Sequence, residues 1–189
     1  MQAWGKTKVT NRGFTLIETV IVLLLMAILL GVTGFVFLVS LRAWDSGCIR
    51  GGIRADASYA MDKTVRDLKE MANGTLSQYS SIANTIKYRK FLPNGGGDSY
   101  VFYLYNSTDT SFDSSYTESL YSLRKANITK GDDPALGKGV LILKDIVSPN
   151  ATAPATALTI SGNQVTVDFV LQRGSETVRL KTKIRPRNL

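Results

Sequence analysis

The chain contains no histidine, and among its 189 residues Cys48 is the single cysteine. One thiol cannot close an internal disulfide, and without histidine no Cys/His metal centre can be assembled. General acid–base chemistry would fall to carboxylates, lysine or tyrosine. No pair of acids stands out, and neither Gly-x-Ser-x-Gly nor Gly-x-x-x-x-Gly-Lys-Ser/Thr occurs. Gly95-Gly96-Gly97 precedes a strand pattern rather than a helix, so it lacks the setting of a phosphate loop. Asp98 and Asp132-Asp133 have the chemistry to ligate calcium, but they read as turn residues. No enzyme, no cofactor and no metal site are expected.

Charge and apolar residues are present but unevenly placed. Hydrophobic residues make up 44% of the chain and the formal charge is +8. Residues 14–41 carry one charge, Glu18. From Arg42 onward there are 20 Lys/Arg and 14 Asp/Glu, and 20 − 14 = +6. These charges are interspersed, the mark of a solvated surface, except where Arg173, Arg179, Lys181, Lys183, Arg185 and Arg187 crowd the last 17 residues. The length suits one modest domain plus an anchor.

The N-terminal tail, residues 1–13, is short and polar and carries Lys6, Lys8 and Arg12. The uncharged stretch behind it runs from Thr19 to Leu41, 23 residues, with no A-x-A site following. That is too long for the apolar core of a secretory signal, roughly 7–15 residues, and long enough to span a bilayer, about 20 residues. Three basic residues precede the span and three (Arg42, Arg50, Arg54) follow it, so the positive-inside rule does not set its orientation. The short tail is expected to stay in the cytoplasm and the larger domain to be exported. Cys48 then reads as a small residue on a helix near the membrane; an intermolecular or lipid-modified thiol is the alternative.

Glu18 is what a plain anchor leaves unexplained. A carboxylate in an apolar helix costs on the order of 2.5–3.5 kcal/mol at mid-membrane, less near the surface, and needs a partner. Arg12 reaching back from the interface is one. The other arises if the chain is cut between Gly13 and Phe14, because Phe14 then carries an α-ammonium group one helical turn before Glu18 on the same face. Glu18 would also complement the positive end of the new helix terminus, or meet the terminus of a neighbouring subunit in a bundle.

Arg12-Gly13-Phe14-Thr15-Leu16-Ile17-Glu18 resembles the prepilin motif of type IV pilins and type II secretion pseudopilins. The resemblance implies cleavage after Gly13 by a membrane prepilin peptidase, N-methylation of Phe14, and a role for Glu18 in guiding assembly. It further implies other pilins or pseudopilins, an inner-membrane assembly platform and membrane lipid as partners. The expected location is the bacterial inner membrane, as a single-pass precursor with its C-terminal domain in the periplasm, and then a filament or the cell surface. Gly31 and Gly34 permit close helix approach or a local break, or are simply tolerated in a membrane helix.

Past the span, Ile49, Ile53, Ala57, Met61, Val65, Leu68 and Met71 recur every three or four residues, one stripe along an amphipathic helix. One long helix is expected to about Ala72, with bends allowed at Gly47 or Gly51-Gly52 and a stop at Asn73-Gly74. From residue 85 the period becomes two, predicting strands at 85–91, 99–105, 119–125, 140–146, 157–161, 164–171 and 176–184. Gly162-Asn163 and Arg173-Gly174-Ser175 signal hairpins, and Val165, Val167, Phe169 and Leu171 share a face. Residues 106–117 and 149–154 read as loops. The fold class is α+β, an antiparallel sheet on the amphipathic half of a long helix, divided into a leader (1–13), a transmembrane and assembly helix (14–41) and an extracytoplasmic domain (42–189, with helix 42–72 and sheet 85–184). This order resembles the pilin-like fold along the whole chain. The strand pair 100–105 and 119–124 and the ending Arg185-Pro186-Arg187-Asn188-Leu189 are similar to minor pilins and the J-type minor pseudopilin. The disulfide and calcium loop frequent in major pilins have no counterpart here.

Arg179, Lys181, Lys183 and Arg185 alternate along one strand and share a face. With tyrosines nearby, that face could grip a phosphate backbone, as in a DNA-uptake pilin; an edge strand kept soluble by its cations is the plainer alternative. The expected function is that of a minor pilin or pseudopilin, with a permanently anchored extracytoplasmic binding module as the rival class.

Overall fold

The computed structural model describes residues 15–72, 74–91, 96–109 and 115–186. Gly13, Phe14, Asn73, Gly95, Arg187, Asn188 and Leu189, singled out above, lie outside the described residues. The chain divides into two units, Met1–Asp45 and Ser46–Leu189, and helix α1, Leu16–Lys69, contributes to both without interruption.

In the first unit every described apolar side chain from Leu16 to Leu41 is exposed. The helix is long and apolar enough to cross a membrane, and 23 residues at 1.5 Å each give about 34 Å. Hydrocarbon offers no partner for a stray donor, and the hydroxyls in this stretch find theirs within the helix. Thr19 donates to the Thr15 carbonyl at 3.0 Å, Thr33 to Leu29 at 2.8 Å, and Ser40 to Val36 at 2.8 Å.

In the second unit the helix is two-faced. Its buried line is Ile53, Ala57, Ala60, Thr64 and Leu68, continued by Met71 past the helix end at Lys69. The line is centred one position away from the predicted stripe, since Met61 and Val65 are only half-buried. Ala57, Ala60 and Thr64 are small enough to lie against the sheet, and the Thr64 hydroxyl is satisfied by the Ala60 carbonyl at 2.8 Å. The glycines at 47, 51 and 52 do not interrupt the helix.

The sheet is antiparallel throughout and curls. Strands β1 (Ile86–Phe91), β2 (Gly97–Tyr105), β3 (Leu120–Asn127) and β4 (Val140–Val147) form a meander; β5 is Ala157–Ser161, β6 Gln164–Arg173 and β7 Glu176–Ile184. β6 pairs along one edge with β7, and along the other with β5 and, at Leu171 opposite Ile146, with β4. The β5–β6 and β6–β7 loops are two residues each, with φ of 54° at Gly162 and 61° at Gly174, as tight hairpins with glycine first demand. Near β1, the Leu158 N–H of β5 donates to Asn84 Oδ1 at 3.1 Å.

One face of the sheet packs the core against α1. Phe102, Leu123, Ile146, Phe169 and Leu171 are buried there, and Tyr88 stacks on Tyr100 and Phe102 with ring centroids 5.7 and 5.4 Å apart. Val101, Tyr103 and Ala126 form a smaller cluster, packed against Tyr79, Tyr105 and Ile128. Residues 101–104 are therefore all buried, and the predicted alternation is lost where both faces are covered. Tyr116, placed in a loop by the sequence, is buried too: its ring meets Tyr121 edge-on at 5.4 Å and its hydroxyl donates to Ala83 at 2.8 Å.

Ion pairs tie helix to sheet. Lys125 of β3 reaches Asp67 of α1 at 2.5 Å while lying 4.4 Å from the Tyr100 ring centre. Lys90 of β1 bonds Glu70, and Arg173 bonds Asp145 at 2.9 Å and Asp56 at 3.3 Å. Within the sheet, Asp168 of β6 is buried and accepts two hydrogen bonds from Arg179, at 2.8 and 2.7 Å, and lies 3.2 Å from Lys181 Nζ. The Arg179 bonds above all, and Lys181 with them, hold its carboxyl below the usual carboxylate range despite burial.

Two outcomes are expected. Phe169→Ala, which empties a fully buried site, should destabilise the second unit by about 3–5 kcal/mol in denaturant unfolding. A depressed folded-state pKa contributes stability that is present above the unfolded value, about 3.9, and is lost as pH falls through the folded one. The thermal midpoint of the wild type should therefore fall on acidification below about pH 4, and Asp168→Asn should be less stable at neutral pH and lose this part of the acid dependence.

Candidate processing and assembly segment

Helix α1 opens at Leu16 with Thr15 as its cap. The Thr15 carbonyl accepts from the N–H groups of Glu18 at 3.1 Å and Thr19 at 3.2 Å, and Thr15 Oγ1 accepts from the Glu18 N–H at 3.4 Å. Thr15-x-x-Glu18 has the spacing of a capping box, in which a hydroxyl covers a donor of the first turn. That signal is legible in the sequence, and it adds a local capping contact to the charge partners the sequence offers for Glu18. Glu18 stands exposed in the first helical turn, where a negative charge complements the helix dipole. It is the sole acid before a run of exposed apolar side chains, with Thr19 and Leu41 bounding the uncharged stretch. Gly13 and Phe14 precede the described residues, and α1 begins two positions after Phe14.

The second candidate surface lies on β7. Arg179, Lys181 and Lys183 are exposed on one side of the strand, whereas Val178, Leu180, Thr182 and Ile184 turn toward the core. Arg185 is exposed just past the strand end. The sequence places all four cations along one strand; in the structure Arg179, Lys181 and Lys183 lie on β7 and Arg185 beyond it, and the sequence does not reveal Asp168, which engages Arg179 and Lys181. The row therefore presents less free positive charge than its residue count suggests.

The remaining candidates have local roles. Asp133 caps the 3-10 turn Pro134–Leu136 by accepting from the Ala135 N–H at 2.9 Å, and Asp132 accepts from the Asn127 N–H at 2.9 Å. Asp98 accepts from the Asn127 side chain at 2.8 Å. Gly97 opens β2 against Arg89, whose side chain lies 2.5 Å from where a β-carbon would stand. Cys48 is exposed on α1.

No curated protein and no solved structure matches the chain. Residues 9–34 match the family model described as the prokaryotic N-terminal methylation motif, a segment that contains Gly13, Phe14 and Glu18. This match, which overlaps the start of the apolar helix, fits a membrane-anchored precursor processed by a prepilin peptidase and supports a type IV pilin-like, structural rather than enzymatic, subunit.

Proposed function

We propose that the protein is a minor pilin or pseudopilin of a type IV pilus or type II secretion filament. The observation that carries this reading is the methylation motif standing in register with a capped apolar helix in which Glu18 is the one charge as far as Leu41. Prepilin peptidase cuts after Gly13 and methylates Phe14. Before assembly the apolar surface of α1 faces lipid; afterwards it faces the helices of neighbouring subunits, and Glu18 meets an α-ammonium group, its own or a neighbour's. That pairing offsets the cost of a carboxylate in an apolar setting, and a misregistered helix would forfeit it. The C-terminal domain is exported to the periplasm and makes lateral or tip contacts with other subunits.

The mass of the protein extracted from membranes tests processing. A chain beginning at Phe14 and bearing one methyl group is expected; an intact Met1 would instead identify a permanently anchored module. Separately, Glu18→Val should be cleaved normally and yet be lost from purified filaments. Wild-type incorporation of this variant would remove the role assigned to the carboxylate.

A further inference from the structure

The two ends of the sheet are finished differently. At β1, the chain just before the strand closes the edge. Ser77 and Lys87 exchange backbone hydrogen bonds of 3.0 and 2.7 Å, the Ala72 N–H donates to the Arg89 carbonyl at 2.7 Å, and the Arg89 N–H donates to Thr75 Oγ1 at 3.1 Å. At β7, among the described residues, no strand pairs with the outer edge. β7 is nine residues long, contains no proline and keeps unbroken register with β6. Every second residue of such a strand directs its N–H and C=O away from the sheet, which makes the edge a template for a further strand.

Both faces of β7 favour an added strand. On the core side Val165, Val167, Phe169 and Leu171 of β6 are fully buried, while Val178, Leu180 and Thr182 of β7 are only half-buried. The flank of that inner row is what a neighbouring strand would cover. On the outer side stands the row Arg179, Lys181 and Lys183. β6 shows how this row receives an acid from an adjacent strand: Asp168 is directly opposite Lys181 in register and also binds Arg179. Arg179 and Lys181 share this one carboxylate, and no ion pair of Lys183 occurs among the described residues.

The charge pattern selects the occupant. A second copy pairing β7 to β7 antiparallel would set the cationic row against itself, and like charges directly opposite destabilise a sheet. An acidic strand would repeat the Asp168 arrangement on the free side. We propose that the outer edge of β7 docks an extended, acidic β-strand of a neighbouring subunit, joined by backbone hydrogen bonds and with carboxylates at alternate positions beside Arg179, Lys181 and Lys183. Only the source of the strand rests on the subunit reading above; the edge and its preference for acid do not.

Full-length protein in detergent micelles is mixed with an end-blocked nine-residue peptide of alternating Glu and Val, or with its Lys-and-Val counterpart, and amide hydrogen exchange is followed across β7. The Glu peptide should slow exchange in β7 about tenfold, the combined effect of a few cross-strand charge pairs and new backbone bonds, and the Lys peptide should not. Lys181→Gln/Lys183→Glu, both changes being on exposed side chains, should weaken the Glu peptide by about the same factor. Unchanged β7 exchange, or equal protection by both peptides, overturns the proposal. So does binding of short duplex DNA to the row with β7 amides unprotected, which would make the row a phosphate-contacting surface. A retained Met1 would defeat the subunit reading without altering any of these exchange results.

Discussion

The constraint on which the chain is organised is that one unbroken helix must serve two solvents. A backbone in hydrocarbon has to satisfy its own donors and acceptors, and α1 does so from its cap at Thr15 onward, returning the hydroxyls of Thr19, Thr33 and Ser40 to carbonyls one turn back. The same regularity continues into the second unit, where the helix can no longer be apolar all round. There the requirement shifts to a narrow buried line flanked by charge, and Asp56, Asp67 and Glu70 become anchors for Arg173, Lys125 and Lys90.

The second unit depends on β6. It is the strand that β4, β5 and β7 all join, and its alternating Val165, Val167, Phe169 and Leu171 supply much of the face that α1 covers. Its one buried charge, Asp168, points the other way and is neutralised by β7. Burying a carboxylate is tolerable where it is hydrogen-bonded and paired, and here the pairing also fixes which face of β7 is wet. The basic row and the buried acid are therefore a single feature, and reading the row as a free cationic surface overstates its charge.

What was legible in the sequence followed periodicity and turn chemistry. The bounds of β5 and β7 and both hairpins follow from glycine at Gly162 and Gly174 between alternating segments. The long helix and its apolar half were equally plain. Legibility failed where a second surface intervened. β2 is covered on both faces, so residues 101–104 show no alternation. Ala60 and Thr64 belong to the buried line because they are small, a property the apolar stripe template does not weigh. Tyr116 is drawn from its loop by the nearby Tyr121 ring and by the Ala83 carbonyl, which is distant in sequence. Of the processing segment, the motif was readable outright and the Thr15 cap was readable from its spacing to Glu18, whereas the closing of β1 rests mainly on the backbones of Ala72 and Ser77, with the Thr75 hydroxyl taking part, and no periodic pattern announces it.

The two surfaces that distinguish this chain ask for opposite things from a partner. The first turn of α1 offers a carboxylate on an apolar cylinder, and a group that answers it must bring positive charge into an apolar setting, which only a terminus or a buried cation can do. The edge of β7 offers cations beside unpaired backbone, and what answers it must bring carboxylates on an extended strand. The first surface is set by a few residues of sequence that many chains with the same motif can share. The second depends on the particular register of β6 and β7, which is individual to this chain's sheet. On the proposed reading, assembly through a common helix and selection through an individual edge are separable physical tasks assigned to different elements.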